Sequence, residues 1–277
     1  MISKKRYAII GKPVSHSMSP ILHNYWFNKY NISAEYSLME IDEVDLDKVV
    51  KKVRDGVLNG VNITLPYKKK IIPFLDKLIH DAEKTSSVNT LYLNKENEVV
   101  GDNTDVFGLM AGYFKNIIDK KNKNQKALIL GAGGLSPSVI FALQKSDVLD
   151  ITLVNRTYEK STFLKNKFKE ITIMKWNDIQ NSTHEFDIII NATSLGLKNY
   201  KDFNFIIERF KKSLVYIDTI YNPLETKMMK HLKSNNIKTY GGLDMFIYQG
   251  QKSFYLWSKI NPEINDELLN LLSAKLK

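Results

Sequence analysis

Short apolar runs rich in β-branched and aromatic residues alternate with segments of helical period along the whole chain, the pattern of an α/β protein in which helices cover a parallel sheet. In the first half the pattern predicts strands over residues 6–11, 34–41, 61–65 and 90–93. Helical stretches are expected between them, beginning at Ser19-Pro20, Glu43, Tyr67 and near Asp81. Ser19-Pro20 reads as a helix start, because serine caps and proline fits the first helical position. A helical segment over 106–118 is followed by Asp-Lys-Lys-Asn-Lys-Asn-Gln-Lys at 119–126, a polar stretch that reads as a domain boundary. Beyond it the alternation restarts, with strands expected over 127–130, 151–154, 171–174, 186–190, 214–217 and 237–240. The tail, 243–260 and 263–276, reads as two helices without a further strand. A helix-only tail must pack on something already built, so residues 243–277 are expected to return to a first domain of residues 1–118, with 119–242 forming the second.

Composition narrows the class. With 277 residues, 43% hydrophobic and 25% charged, the chain can bury a substantial core, which excludes disorder as its main state. No apolar run approaches the roughly 18–20 residues that a membrane helix needs; even Phe186-Asp187-Ile188-Ile189-Ile190 is short and carries an acid. The basic start, Met1 to Arg6, leads into an apolar stretch that ends at Lys12-Pro13, too short for a secretory signal. The absence of cysteine rules out disulfides and thiolate chemistry and suits a reducing cytoplasm. A net charge of +10 invites a nucleic-acid reading. Only Arg6, Arg54, Arg156 and Arg209 are arginines, however, and the lysines are scattered among acids and asparagines, so the charge is read as a solvated surface that attracts small anions. The five histidines show no metal-ligand spacing, so no metal is expected.

The sharpest local signal is Ala127-Leu128-Ile129-Leu130-Gly131-Ala132-Gly133-Gly134-Leu135-Ser136-Pro137-Ser138, a buried strand that runs into a glycine turn and a helix from about Val139. Gly131 permits the tight turn, and Gly133 lets backbone N–H groups approach a pyrophosphate at the helix N-terminus. Ser136 replaces the third glycine of the dinucleotide fingerprint. The next strand ends in Asn155-Arg156-Thr157, where an NAD-binding unit usually presents an acid to the ribose; Arg156, with Lys160 a turn further on, suits a 2′-phosphate instead. Asn191-Ala192-Thr193-Ser194-Leu195-Gly196 follows another strand, where ligands of open α/β sheets gather. In the first half, Ser17 and Ser19 offer two hydroxyls suited to a carboxylate, with helix capping as the alternative role. Asn62, Thr64 and Lys68 lie at a strand end and the start of its helix, and spacing does not choose among Lys68, Lys69 and Lys70. Asp102 and Asp105 precede a helix that either could cap.

In order along the chain, GKPVSHSMSPILHN (11–24), NGVNITLPYKKK (59–70), SVNTL (87–91), GDNTDVFG (101–108), GAGG (131–134), NRT (155–157), NATSLG (191–196), DTIYNPLET (218–226) and GGLDMFIYQGQKSF (241–254) resemble the shikimate dehydrogenase family over nearly the whole length. The resemblance implies an N-terminal α/β substrate domain and a Rossmann-like NADP-binding domain, with C-terminal helices returning to the first. It implies NADPH-dependent reduction of 3-dehydroshikimate to shikimate in a cleft between the domains, by a cytoplasmic monomer or homodimer that binds neither nucleic acid nor membrane. It casts Lys68 and Asp105 as the catalytic pair, and Ser17, Ser19, Thr64, Asn89, Tyr221 and Gln249 as substrate-binding residues. Gly131, Ala132, Gly133, Gly134, Asn155, Arg156, Thr157, Lys160, Thr193, Ser194 and Gly242 fall at cofactor positions. Two departures stand out: Leu135-Ser136-Pro137-Ser138 follows the glycines where relatives often carry small residues and a basic one, and Thr219 stands where many carry methionine. The rivals are a quinate/shikimate dehydrogenase with altered preference and a non-catalytic NADP- or polyanion-binding regulator on the same fold.

Overall fold

Tyr7-Ala8-Ile9-Ile10 is an apolar run with no polar interruption, as a strand covered on both faces requires, and it forms the middle of strand β1 (Lys5–Gly11). The computed structural model describes residues 4–119, 122 and 124–276, so Lys120, Lys121 and Lys123 of the expected boundary stretch lie outside the described residues. The chain divides into two units, Met1–Gly108 with Ile247–Lys275, and Leu109–Phe246 with Leu276–Lys277.

In the first unit β1 is followed by α1 (Ser19–Lys29), β2 (Ala34–Glu40), α2 (Leu46–Arg54), β3 (Gly60–Ile63), β4 (Lys77–Leu78), α3 (His80–Thr85), β5 (Thr90–Leu93), β6 (Val99–Asp102) and α4 (Thr104–Leu109). The sheet order is β2-β1-β3-β5-β6-β4. It is mixed rather than purely parallel, because β5 runs antiparallel to both β3 and β6. The expected strands omitted β4 and β6. β5 and β6 form a hairpin closed by Asn94 to Glu98, in which Asn97 takes a left-handed backbone. The helix expected from Tyr67 does not form; residues 66–71 make turns and a short 3-10 segment covers Ile72–Phe74. Pro73 lacks an N–H and its ring would meet the carbonyl of Lys69, so a regular helix cannot pass through it. Ser19 opens α1 but does not cap it, since the capping position falls on Met18.

Leu46, Val49, Val50 and Val53 lie on one face of α2 at the spacing of a buried stripe, and each such burial contributes roughly 1.5–3 kcal/mol. They join Ala8, Ile10, Val61, Ile63, Leu91 and Val99 in one core. The other face of the sheet carries an aromatic cluster. Trp257, from the helix Leu243–Ser258, stands 4.9 Å from the Tyr7 ring and donates from Nε1 to the Leu91 carbonyl at 3.0 Å. A Cβ at Gly60 would fall 2.2 Å from the Trp257 indole nitrogen, so only glycine admits the helix there. The helix Asp266–Lys275 follows a segment whose Glu263 carbonyl accepts from the Trp26 indole at 3.1 Å.

The second unit opens with a π-helical continuation of α4 over Met110–Phe114 and a short helix. Its strands are β7 (Lys126–Leu130), β8 (Asp150–Val154), β9 (Thr172–Met174), β10 (Ile188–Asn191), β11 (Val215–Asp218) and β12 (Lys238–Tyr240). The order β12-β11-β10-β7-β8-β9, with every pair parallel, is that of a doubly wound dinucleotide-binding sheet, whose switch point lies between β7 and β10. The helix after the glycine turn spans Ser136–Lys145, starting three residues earlier than Val139. No helix among the described residues is long and apolar enough to cross a membrane.

His23 sits inside the aromatic cluster, stacked on Tyr36 at 4.5 Å, and neither ring nitrogen has a hydrogen-bond partner among the described residues. Burial pushes its pKa from 6.5 down to about 3. The unfolded chain therefore takes up this proton more readily than the folded one. The stabilising contribution is complete above pH 6.5 and is lost as pH falls from there toward 3, at about 1.4 kcal/mol per pH unit. Urea unfolding of wild type and His23→Phe between pH 7 and 5 should show the stability difference shifting by this slope in favour of the variant below 6.5. Parallel stability curves would refute the burial of a neutral imidazole.

Candidate active site

The central strands of the first unit bring Asn62, Asn89 and Asp105 to one edge, because β3 pairs with β5 at Asn62 opposite Thr90, and Thr90 in turn faces Asp102 of β6. Asn89 sits just before β5 and is buried. Its Nδ2 donates to Asp105 Oδ1 and to Thr104 Oγ1, each at 2.9 Å, while its Oδ1 accepts the Thr104 N–H at 2.8 Å. Gln249 Oε1 lies 3.4 Å from the same Nδ2. Asn103 caps α4, its Oδ1 accepting the Asp105 N–H at 3.1 Å. Asp105 is thereby left with a second oxygen for another partner.

That partner is Lys68, whose Nζ donates to Asp105 Oδ2 at 2.6 Å. The side chains are only 13% and 6% exposed, so the pair is largely withdrawn from water and each charge depends on the other. The Lys68 carbonyl accepts the Val88 N–H at 2.8 Å, which fastens the lysine turn beside Asn89. Among the three consecutive lysines the geometry is selective. Lys70 reaches out to Glu43 in an exposed ion pair, and Lys69 is exposed, with partial desolvation holding its amine below the usual lysine range.

A line of buried hydrogen bonds continues from this pair. Ser253 Oγ lies 3.1 Å from Thr104 Oγ1 and 2.8 Å from Thr90 Oγ1, and it accepts from Asn62 Nδ2 at 3.0 Å. Asn62 Oδ1 accepts from the Tyr36 hydroxyl at 2.7 Å. Burial holds that hydroxyl protonated well above the usual tyrosine range, and it also contacts Ser19. Ser17 Oγ then donates to Ser19 Oγ at 3.1 Å. Thr64 is tied by its backbone N–H to Ile10 and presses its methyl close to Gly11, where a Cβ would fall 2.5 Å away. Ser17, Ser19, Thr64, Lys68, Asn89, Asp105 and Gln249 thus all lie in the first unit. Tyr36, Thr90, Thr104 and Ser253 were not singled out from sequence. Ser253 had a readable signal, since it follows Gln249 by four residues on the same helix face.

In the second unit Gly131 has φ +107°, a backbone that favours glycine. Ser136, in the third-glycine position, donates from Oγ to the Gly131 carbonyl at 2.7 Å and accepts the Gly133 N–H at 3.0 Å. Asn155 Oδ1 accepts the Ala132 N–H at 3.0 Å. Two N–H groups expected to face a pyrophosphate are therefore held by side chains, one from the turn itself and one from just beyond β8. A Cβ at Gly133 would approach nothing nearer than the Ala192 carbonyl, at 3.9 Å, so the fold leaves room for a ligand against this backbone. Gly134 completes the turn ahead of the helix beginning at Ser136. Arg156, Thr157 and Lys160 are exposed beyond the end of β8, where a dinucleotide of this fold places its adenosine ribose. Thr193 is fixed by Asn191, Ser194 is exposed, and Tyr221 packs on Phe246 with ring centres 4.9 Å apart. Gly242 lies in backbone contact with 219–220, where a Cβ would fall 2.3 Å from the Thr219 carbonyl oxygen. The glycine turn, the exposed basic pair and the doubly wound order fit a phosphorylated dinucleotide.

Comparison with known proteins agrees with this geometry. The model of the shikimate dehydrogenase substrate-binding domain matches residues 9–91, and that of shikimate/quinate 5-dehydrogenase matches 114–238. The chain is 45% identical to an NADP(+) shikimate dehydrogenase of Pelagibacter ubique over 98% of its own length and 100% of that protein's. A shikimate dehydrogenase crystallised with NADP+ superposes with a TM-score of 0.87 at 31% identity, covering 100% of this chain and 98% of the other. The Thermus thermophilus shikimate 5-dehydrogenase, solved with NADP(H) and shikimate, gives a TM-score of 0.84 at 28% identity, with 98% of each chain covered.

Proposed function

The chain belongs to the shikimate dehydrogenase family, and from that premise we propose that it catalyses the reversible, NADPH-dependent reduction of 3-dehydroshikimate to shikimate in aromatic amino-acid biosynthesis. The first unit holds the substrate and the second the dinucleotide. The observation that carries this reading is the buried Lys68–Asp105 ion pair at 2.6 Å, steadied by Asn89. NADPH supplies the hydride when bound. As a ketone carbon gains hydride, negative charge develops on its oxygen, and a proton donor or cation must be in place at that instant. Lys68 gives one of its three ammonium donors to Asp105 and keeps others for that oxygen. Asp105 orients the ammonium through Oδ2, and in the reverse direction its charge favours return of the proton to Lys68 Nζ. Ser17 and Ser19 donate to the substrate carboxylate, while Thr64, Asn89, Gln249 and Tyr221 contact its remaining polar groups. Arg156 and Lys160 hold the 2′-phosphate, Thr157, Asn155, Thr193, Ser194 and Gly242 line the dinucleotide, and the turn Gly131 to Gly134 takes the pyrophosphate. A reaction drawing on NADPH suits the cytoplasm, as does a chain without cysteine.

An assay of NADP+ reduction with shikimate, quinate and no substrate tests the reading. Turnover with shikimate is expected, and its absence in folded protein would overturn the assignment. Lys68→Ala should lower kcat by on the order of 100-fold to 10,000-fold while KM for shikimate changes far less, and Lys69→Ala and Lys70→Ala should stay near wild type. A near-normal kcat in Lys68→Ala, or an equal loss in either control, would place the proton donor elsewhere.

Arg156→Ala should weaken NADP+ binding roughly 10-fold to 150-fold, the worth of a charge-assisted hydrogen bond, and NAD+ binding much less. Equal losses for both dinucleotides would contradict a 2′-phosphate contact.

A further inference from the structure

We propose that Asp218 is a positioning residue for cofactor binding, its carboxylate holding in register three loops of the second unit: those that carry the cofactor positions Thr193 and Gly242, and the loop of Tyr221, assigned above to the substrate. The proposal rests on the reading of this unit as the dinucleotide site, and it assigns a role to a residue that touches none of the expected cofactor positions directly.

Asp218 is the last residue of β11 and has no exposed surface. Four donors converge on it. Oδ1 accepts from Asn191 Nδ2 at 3.0 Å and from the Ile220 N–H at 3.1 Å; Oδ2 accepts from Thr226 Oγ1 at 2.8 Å and from the Tyr216 hydroxyl at 3.3 Å. Each of three partners passes the constraint into a different loop. Asn191, which ends β10 opposite Asp218, accepts on Oδ1 from the Thr193 N–H at 2.9 Å and from Thr193 Oγ1 at 2.6 Å. Its Nδ2 also reaches the Leu195 carbonyl at 3.0 Å. Ile220 accepts the Gly242 N–H on its carbonyl at 2.8 Å, and Gly242 is so close to this backbone that no side chain fits. Thr226 closes the loop that contains Tyr221 and caps the following helix by accepting the Met229 N–H, while its methyl lies against the Gly196 turn, where a Cβ would be 3.4 Å away.

Burial raises the Asp218 pKa to about 6, with the donors from Thr226, Ile220, Asn191 and Tyr216 opposing the rise, so the group is an anion at neutral pH. An anion can accept all four donors at once. An amide cannot, since its NH2 must face either the N–H pair of Asn191 and Ile220 or the two hydroxyls, and only the hydroxyls can turn to receive it.

Asp187, at the opposite end of the same sheet, provides the control. It accepts the Lys126 N–H at 2.9 Å and pairs with Lys211 at 2.7 Å, tying strand beginnings without reaching any of the three loops. In the full chain, NADP+ affinity by calorimetry, KM and kcat at saturating shikimate, and melting temperature would be measured for wild type, Asp218→Ala, Asp218→Asn and Asp187→Ala. Asp218→Ala should raise both Kd and KM for NADP+ about 10-fold or more with kcat changed less than about 3-fold, matching the loss of one or more buried hydrogen bonds to the loops. Asp218→Asn should recover part of that loss, and Asp187→Ala should lower the melting temperature while leaving Kd within about 2-fold of wild type. An unchanged Kd in Asp218→Ala, or a comparable loss in Asp187→Ala, overturns the proposal. If Asp218→Ala does not fold, Asp218→Asn decides, and wild-type affinity there overturns it as well. Wild-type protein that binds no NADP+ would instead overturn the proposed function and the role of Asp218 with it.

Discussion

A carboxylate withdrawn from water must have its charge met on both oxygens, and the site in the first unit is organised around meeting that demand at Asp105. One oxygen takes the Lys68 ammonium and the other the Asn89 amide. Asn89 can serve only because its own carbonyl is occupied by the Thr104 N–H, which fixes the start of α4 relative to β5. Removing any member would leave a buried donor or acceptor without its partner, at a cost of about 1–3 kcal/mol and more for a charge. The lysine is therefore held at one place by the same bonds that hold the sheet edge together.

The second unit solves a related problem with a related device. Loops at the carboxyl end of a parallel sheet have few backbone partners of their own, and ligand positions on them need an external reference. The glycine turn is referenced to Ser136 and Asn155, and the loops after β10 and β11 to Asn191 and Asp218. Arg156 and Lys160, by contrast, are exposed, Arg156 just beyond β8 and Lys160 in the helix Tyr158–Lys167 that follows.

Much of this was legible in the sequence because it is written locally. The alternation of apolar strands and helical segments predicts the second sheet nearly strand for strand, and the glycine turn after residues 127–130 marks the carboxyl end of its first strand. Short elements were less legible: β4 has two residues, and β6 has only Val99-Val100 as its apolar signal. The helix expected at Tyr67 fails because Pro73 lies where a second turn would continue, a constraint that the lysine run obscures. Spacing alone left Lys68, Lys69 and Lys70 equal. What separates them is a partner 37 residues away, and such a pairing has no local signature. Tyr36, Thr104 and Asp218 escaped notice for the same reason: each is an ordinary residue type whose importance comes from what the fold brings to it.

In the proposed reaction Lys68 and Asp105 act as one unit in moving the proton. The most direct test is a double-mutant cycle on kcat for shikimate oxidation with Lys68→Ala, Asp105→Asn and the combined variant. Two residues that work as a unit should show strong coupling, so that the combined variant loses much less than the product of the single losses. Losses that simply multiply would mean that the 2.6 Å pair serves the fold while Lys68 and Asp105 contribute to catalysis independently.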